Sequence, residues 1–120
     1  MQPFHLAFPV HDLSLAKKFY TNTLLCKIGR SSDEWIDFNL CGHQIVAHLD
    51  KSMDLENSLN IVDGKKVPVR HFGIVMKWNK WHQFVDHLKN EKVDFLIEPH
   101  TRFKGKPGEQ VTFFIKDPSG

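Results

Sequence analysis

Cysteine is scarce in this chain. There are two, Cys26 and Cys41, without CxxC spacing. That excludes a disulfide scaffold and a thiolate zinc ribbon, and both thiols are expected reduced. Tyrosine is scarcer still, with Tyr20 alone. No apolar run is long enough to cross a bilayer, and no basic segment precedes a long apolar stretch at the start. The expectation is a cytoplasmic protein with no membrane partner. Charge of one sign is also missing: 16 Lys and Arg stand against 14 Asp and Glu, a formal net charge of +2. The lysines are scattered, so the basic stripe of a nucleic-acid binder is absent.

Histidine and phenylalanine are abundant, with 8 and 10 in 120 residues. The length suits one domain over 1–120. Residues 4–10 alternate: Phe4, Leu6, Phe8 and Val10 form one face, and His5, Ala7 and Pro9 the other. This predicts a strand with one face on a core. Asp12 is a suitable N-cap for a helix whose buried stripe is Leu13, Ala16, Phe19, Tyr20, Thr23 and Leu24. Strands are expected at 27–31, 34–40 and 43–49, with a tight turn at Cys41-Gly42. Residues 51–68, with Asp63-Gly64 and Pro68, read as a linker.

After the linker the order restarts. A strand is expected over 70–77, then a helix capped by Asn79 with Trp81, Phe84, Val85 and Leu88 inward. Strands near 93–98 and 109–116 follow, separated by a loop over 99–108. The repeat predicts an α+β fold of two βαβββ modules, module one at 1–50 and module two at 69–120. They should form a curved, cup-like mixed sheet with helices on its outer face.

His5 and His71 take the same place in each repeat, second in a strand that leads into an amphipathic helix. Period-2 alternation puts both, with His48, on the face away from the helices. Neutral imidazole is the commonest metal ligand, so these three are the candidate metal ligands. Trp35 alternates with Asp37 and Asn39 and is expected to line the cup. Arg102 and Lys104, in the loop before the last strand, are candidates for holding an anionic substrate. A solvated loop is the plainer reading of that segment. His43 is expected on the helix side, His11 exposed, and His82 and His87 off any shared helix face.

Four segments then carry a resemblance: residues 4–13 with Phe19-Tyr20, residues 42–49, residues 71–75, and residues 113–120. Together they resemble the vicinal oxygen chelate superfamily of glyoxalases, fosfomycin-resistance enzymes, extradiol dioxygenases and bleomycin-binding proteins. The resemblance spans essentially the whole chain. It implies a metal-dependent enzyme, a lyase or dioxygenase, acting on a small oxygenated substrate. The implied cofactor is a divalent ion (Fe2+, Mn2+, Zn2+ or Ni2+) held by His5 and His71, and the implied assembly is a homodimer. A final carboxylate ligand would fall at position 124, past Gly120, so the chain is expected to be truncated before its last strand. The glyoxalase I-like glutamate of the fourth strand would fall at Val46, which can neither ligate nor move a proton. The competing reading is a metal-free module that sequesters a drug-like molecule, as the bleomycin-binding relatives do.

Overall fold

The computed structural model describes residues 2–55, 59–62 and 64–120. The chain divides into two compact units, Met1–Glu56 with Asp117–Gly120, and Asn57–Lys116.

The first unit runs β1 (His5–Val10), α1 (Leu13–Lys18), β2 (Lys27–Ser31), β3 (Trp35–Leu40) and β4 (His43–Leu49). This is the expected βαβββ order. The strands form one open sheet in the order β1-β4-β3-β2, with β1 parallel to β4 and the other pairs antiparallel. The alternation sorts its faces as expected. Val10, Ile36, Phe38, Ile45 and Ala47 are buried with Ala16 and Tyr20 of the helical segment. Burying each large member contributes about 1.5–3 kcal/mol.

Asp12 caps α1 by accepting from the Leu15 backbone N–H at 3.0 Å. The helix was expected to stay regular through Leu24. Instead a π turn replaces α geometry over Phe19–Thr23. There the Thr21 hydroxyl donates to the Lys17 carbonyl at 2.6 Å, and the Leu24 N–H reaches back to the Phe19 carbonyl at 3.0 Å. Side-chain bonding to the carbonyl four residues back loosens a helix, and the turn widens at this point. The Cys41-Gly42 turn has positive φ at both residues, 52° and 92°. That is the twist a two-residue hairpin needs.

The second unit holds β5 (Leu59–Val62), β6 (Lys65–Pro68), α2 (Trp78–Asn90), β7 (Phe95–Arg102) and β8 (Gln110–Ile115). Its strands make two antiparallel hairpins, β5-β6 and β7-β8. Four expectations need correction here. The stretch read as linker carries the β5-β6 hairpin. The sequence shows only exposed Lys65 and Lys66 before Val67, yet Val67 is fully buried. Asp63 of the expected Asp63-Gly64 turn lies outside the described residues. Residues 71–77, expected as a strand, make no ladder. Their alternation survives, with Ile74 and Met76 half-buried and Val75 fully exposed. Alternation specifies a face; a strand also needs a partner.

The helix begins at Trp78 rather than after Asn79. Lys77 is the extended N-cap, and Asn79 accepts from the Lys80 N–H at 3.0 Å within the first turn. The strand expected at 93–98 runs on to Arg102, which moves His100 from a loop onto β7. Pro99 sits where the β7-β8 register shifts, between Ile97 and His100, so its missing N–H breaks no regular rung.

Candidate metal-binding site

The face of the first sheet opposite the core begins at His5. The parallel ladder pairs His5 with Gln44, Ala7 with Val46 and Pro9 with His48. The residue of β4 beside His5 is therefore Gln44. His5 Nδ1 lies 2.8 Å from Gln44 Oε1, and Gln44 Nε2 donates to Asp37 Oδ2 at 3.3 Å. Asp37 is a buried polar residue, 9% exposed, on β3. A shallow depression of about 200 Å³ opens at this end of the sheet, with Asp37, His43 and Gln44 in its lining.

His48 is exposed at the other end of β4, opposite Trp35 in the antiparallel register. It stands four residues beyond Gln44, about 13 Å along the strands at 3.3 Å per residue. Among the described residues no three His, Cys, Asp or Glu side chains gather as a metal group. On this face His5 and His48 are too far apart to share one ion. Trp35 is half-buried beside His48, so the structure pairs these two candidates with each other.

His71 belongs to the second unit. Its Nδ1 donates to the Pro68 carbonyl at 2.9 Å, and its ring meets Phe114 edge-on at 5.4 Å. Arg102 closes β7 half-buried, its guanidinium 5.0 Å over the Phe103 ring. Lys104 is exposed in the turn that follows.

Hydrogen bonding sorts the histidines by which nitrogen can ligate. A carbonyl oxygen only accepts, so Nδ1 of His71 carries the proton and Nε2 keeps its lone pair. His5 faces an amide oxygen and has the same tautomer. His43 is the reverse: its Nδ1 accepts from the Phe4 N–H at 2.8 Å, which leaves the proton on Nε2. Metal-bound histidines characteristically donate their other N–H to a carbonyl or carboxylate. His5 and His71 each meet that requirement singly. His100 also donates from Nδ1, to Glu98 two residues back on its own strand at 3.0 Å.

A second polar cluster ties the chain's last four residues to the first unit. Tyr20 donates to Asp117 Oδ2 at 2.9 Å, and Ser119 Oγ accepts from the His11 backbone N–H at 3.0 Å. Burial first, and the Asp117 carboxylate second, raise the Tyr20 phenol well above its ordinary 10.0. The two thiols are free, Cys26 buried and Cys41 exposed. Burial pushes the Cys26 thiol up to about 11.

Sequence reasoning missed Gln44 and Asp37. Their side was legible from alternation. Their link to His5 depends on the β1-β4 and β3-β4 registers, which no local pattern specifies.

A four-stranded β1-β4-β3-β2 sheet behind a short helix, repeated in part, defines the class of fold. The family model for the Glyoxalase/Bleomycin resistance protein/Dioxygenase superfamily matches residues 2–120. The chain belongs to that superfamily. It is 34% identical to the glyoxalase/bleomycin resistance protein/dioxygenase of Alicyclobacillus acidocaldarius, with a TM-score of 0.83 over 98% of this chain and 84% of that one. The fosfomycin resistance protein FosX of Listeria monocytogenes is 17% identical, with a TM-score of 0.66 over 98% of this chain and 86% of that one. A variant of FosX complexed with Mn(II) and 1S,2S-dihydroxypropylphosphonic acid gives 18% identity and a TM-score of 0.63, over 94% of this chain and 80% of that one. No curated protein matches the chain.

Proposed function

We propose that this chain is a metal-dependent enzyme of its superfamily, acting on a small oxygenated substrate, with His5 and His71 as two ligands of one divalent ion. The observation that carries the reading is the matched tautomer of two repeat-related histidines. Both hold Nδ1–H on an oxygen acceptor, and both keep Nε2 as the free donor atom. A divalent ion with open positions would polarise a substrate carbonyl or stabilise developing oxyanion charge. The protein's own part is to hold the two imidazoles in the ligating tautomer. Trp35 offers an apolar wall on the His5 face, and Arg102 and Lys104 supply cations for an acidic substrate group. His48 falls to the Trp35 end of the sheet in this reading rather than to the ion. The reading extends to a homodimer, which sedimentation at micromolar concentration checks.

Mn(II) is the first ion to test, because a protein of this fold has been solved with it. Calorimetric titration of purified protein should show saturable binding. His5→Ala and His71→Ala should each weaken it by about tenfold or more. No saturable binding of Mn(II), Zn(II), Ni(II) or Fe(II) would refute the metal reading and favour the sequestering module. Equal affinity in His5→Ala and the parent would refute the site.

A further inference from the structure

We propose that Gln44 and Asp37 are positioning residues that lock His5 in its Nδ1–H tautomer and so hold its Nε2 lone pair ready for a metal ion. The proposal deepens the metal reading above and rests on it for the role of His5.

One hydrogen-bonded row crosses three strands, from His5 on β1 through Gln44 on β4 to Asp37 on β3. A glutamine amide has one end that only donates and one that only accepts. Asp37 Oδ2 accepts, so the end of Gln44 that faces it at 3.3 Å must be Nε2. Oε1 then faces His5 at 2.8 Å and can only accept. The imidazole must therefore carry its proton on Nδ1. The other tautomer would press two lone pairs together at that distance. Free neutral histidine prefers the Nε2–H form, so the ligating tautomer has to be imposed by its surroundings. The last member of the row is itself fixed. Asp37 is 9% exposed, flanked on β3 by the buried Ile36 and Phe38. Gly29 on β2 approaches it closely: a Cβ at Gly29 would stand 3.2 Å from Asp37 Cβ and 4.0 Å from Oδ2. A side chain there would crowd the carboxylate that orients the amide.

The same sheet holds an internal contrast. His43 accepts at Nδ1 from the Phe4 N–H at 2.8 Å, so it carries the opposite tautomer. Two histidines on one strand pair are thus set to opposite states by what faces Nδ1.

Nitrogen-15 correlation spectra of the metal-free protein at about pH 8, where imidazole is neutral, read both tautomers directly. In the parent, His5 should show protonated Nδ1 and unprotonated Nε2, and His43 the reverse. Gln44→Leu and Asp37→Leu should move His5 toward the Nε2–H form and leave His43 unchanged, which also reports that the sheet is intact. Asp37→Asn should restore the parent pattern, because its amide oxygen can accept from Gln44. Mn(II) affinity should fall about tenfold in Gln44→Leu. A parent His5 in the Nε2–H form, or a His5 signature unmoved in both Leu variants, would overturn the proposal. Because the spectra are taken without metal, they do not depend on the metal reading. That reading fails separately, if His5→Ala binds Mn(II) as well as the parent.

Discussion

Replacing Tyr20 by Phe removes one hydroxyl and keeps the ring. The ring stacks on Phe38 at 5.1 Å and meets Phe8 at 5.3 Å, and neither contact uses the oxygen. What is lost is the 2.9 Å bond to Asp117 Oδ2. A hydrogen bond to a charged partner contributes about 1.5–3 kcal/mol when buried. Asp117 is half-buried and also accepts from the Ser119 N–H at 2.9 Å, so water and that bond retain part of its satisfaction. The expected loss is therefore about 1–2 kcal/mol, a Tm lower by about 4–8 °C. Urea unfolding should show a lower midpoint with an unchanged slope, since the exposed surface is the same.

The variant should also differ at alkaline pH. The folded phenol is raised above its unfolded value of 10.0. Above that pH the unfolded chain releases a proton that the folded chain keeps. Tyr20 thus stabilises the fold fully below 10, and that stability is lost as pH rises, by up to about 1.4 kcal/mol per unit. Tyr20→Phe should flatten this limb. A midpoint shift worth under about 0.5 kcal/mol, or an unchanged alkaline limb, would refute the reasoning, since an unfelt bond lies below the range for buried pairs.

Asp12→Ala removes the side-chain cap of α1 and should cost about 1 kcal/mol by chemical unfolding; a loss below about 0.3 kcal/mol would show that this six-residue helix is held by packing alone. Alkylation followed by mass spectrometry at neutral pH should label exposed Cys41 and spare buried Cys26 until the chain unfolds. The Cys26 thiol rises from 9.0 to about 11, so it adds a loss of stability between those pH values, of the same sign as Tyr20. Cys26→Ala should remove that part of the alkaline limb, read as stability against pH.

The faces of the first sheet were legible because alternation is a local property. Leu6 and Phe8 pack on the core with Val10, while His5 and Ala7 face away, as period two requires. The capping role of Asp12 was legible for the same reason, since a cap acts within its own turn. What failed depended on partners distant in sequence. Residues 71–77 have strand alternation without a ladder, and 59–62 with 65–68 form a ladder inside a stretch whose polar residues and turn signals read as a linker. The π turn at Phe19–Thr23 escaped because three-and-four spacing continues through it.

The fourth-strand position turned on the same distinction. Counting from Gly42 placed the glyoxalase I-like glutamate position at Val46, which can neither ligate nor move a proton. The parallel register puts Gln44, two residues earlier on the same face, beside His5. A shift of two leaves the alternation intact, so no face-based argument detects it, but it replaces an isopropyl group by an amide. The consequence is chemical. An apolar neighbour would leave the His5 tautomer to solvent, whereas an amide pinned by Asp37 decides it. Of the eight histidines, sequence could rank His5 and His71 only by repeat symmetry. The hydrogen bonds at Nδ1 add a reason that symmetry lacks: they determine which nitrogen each ring has free to give.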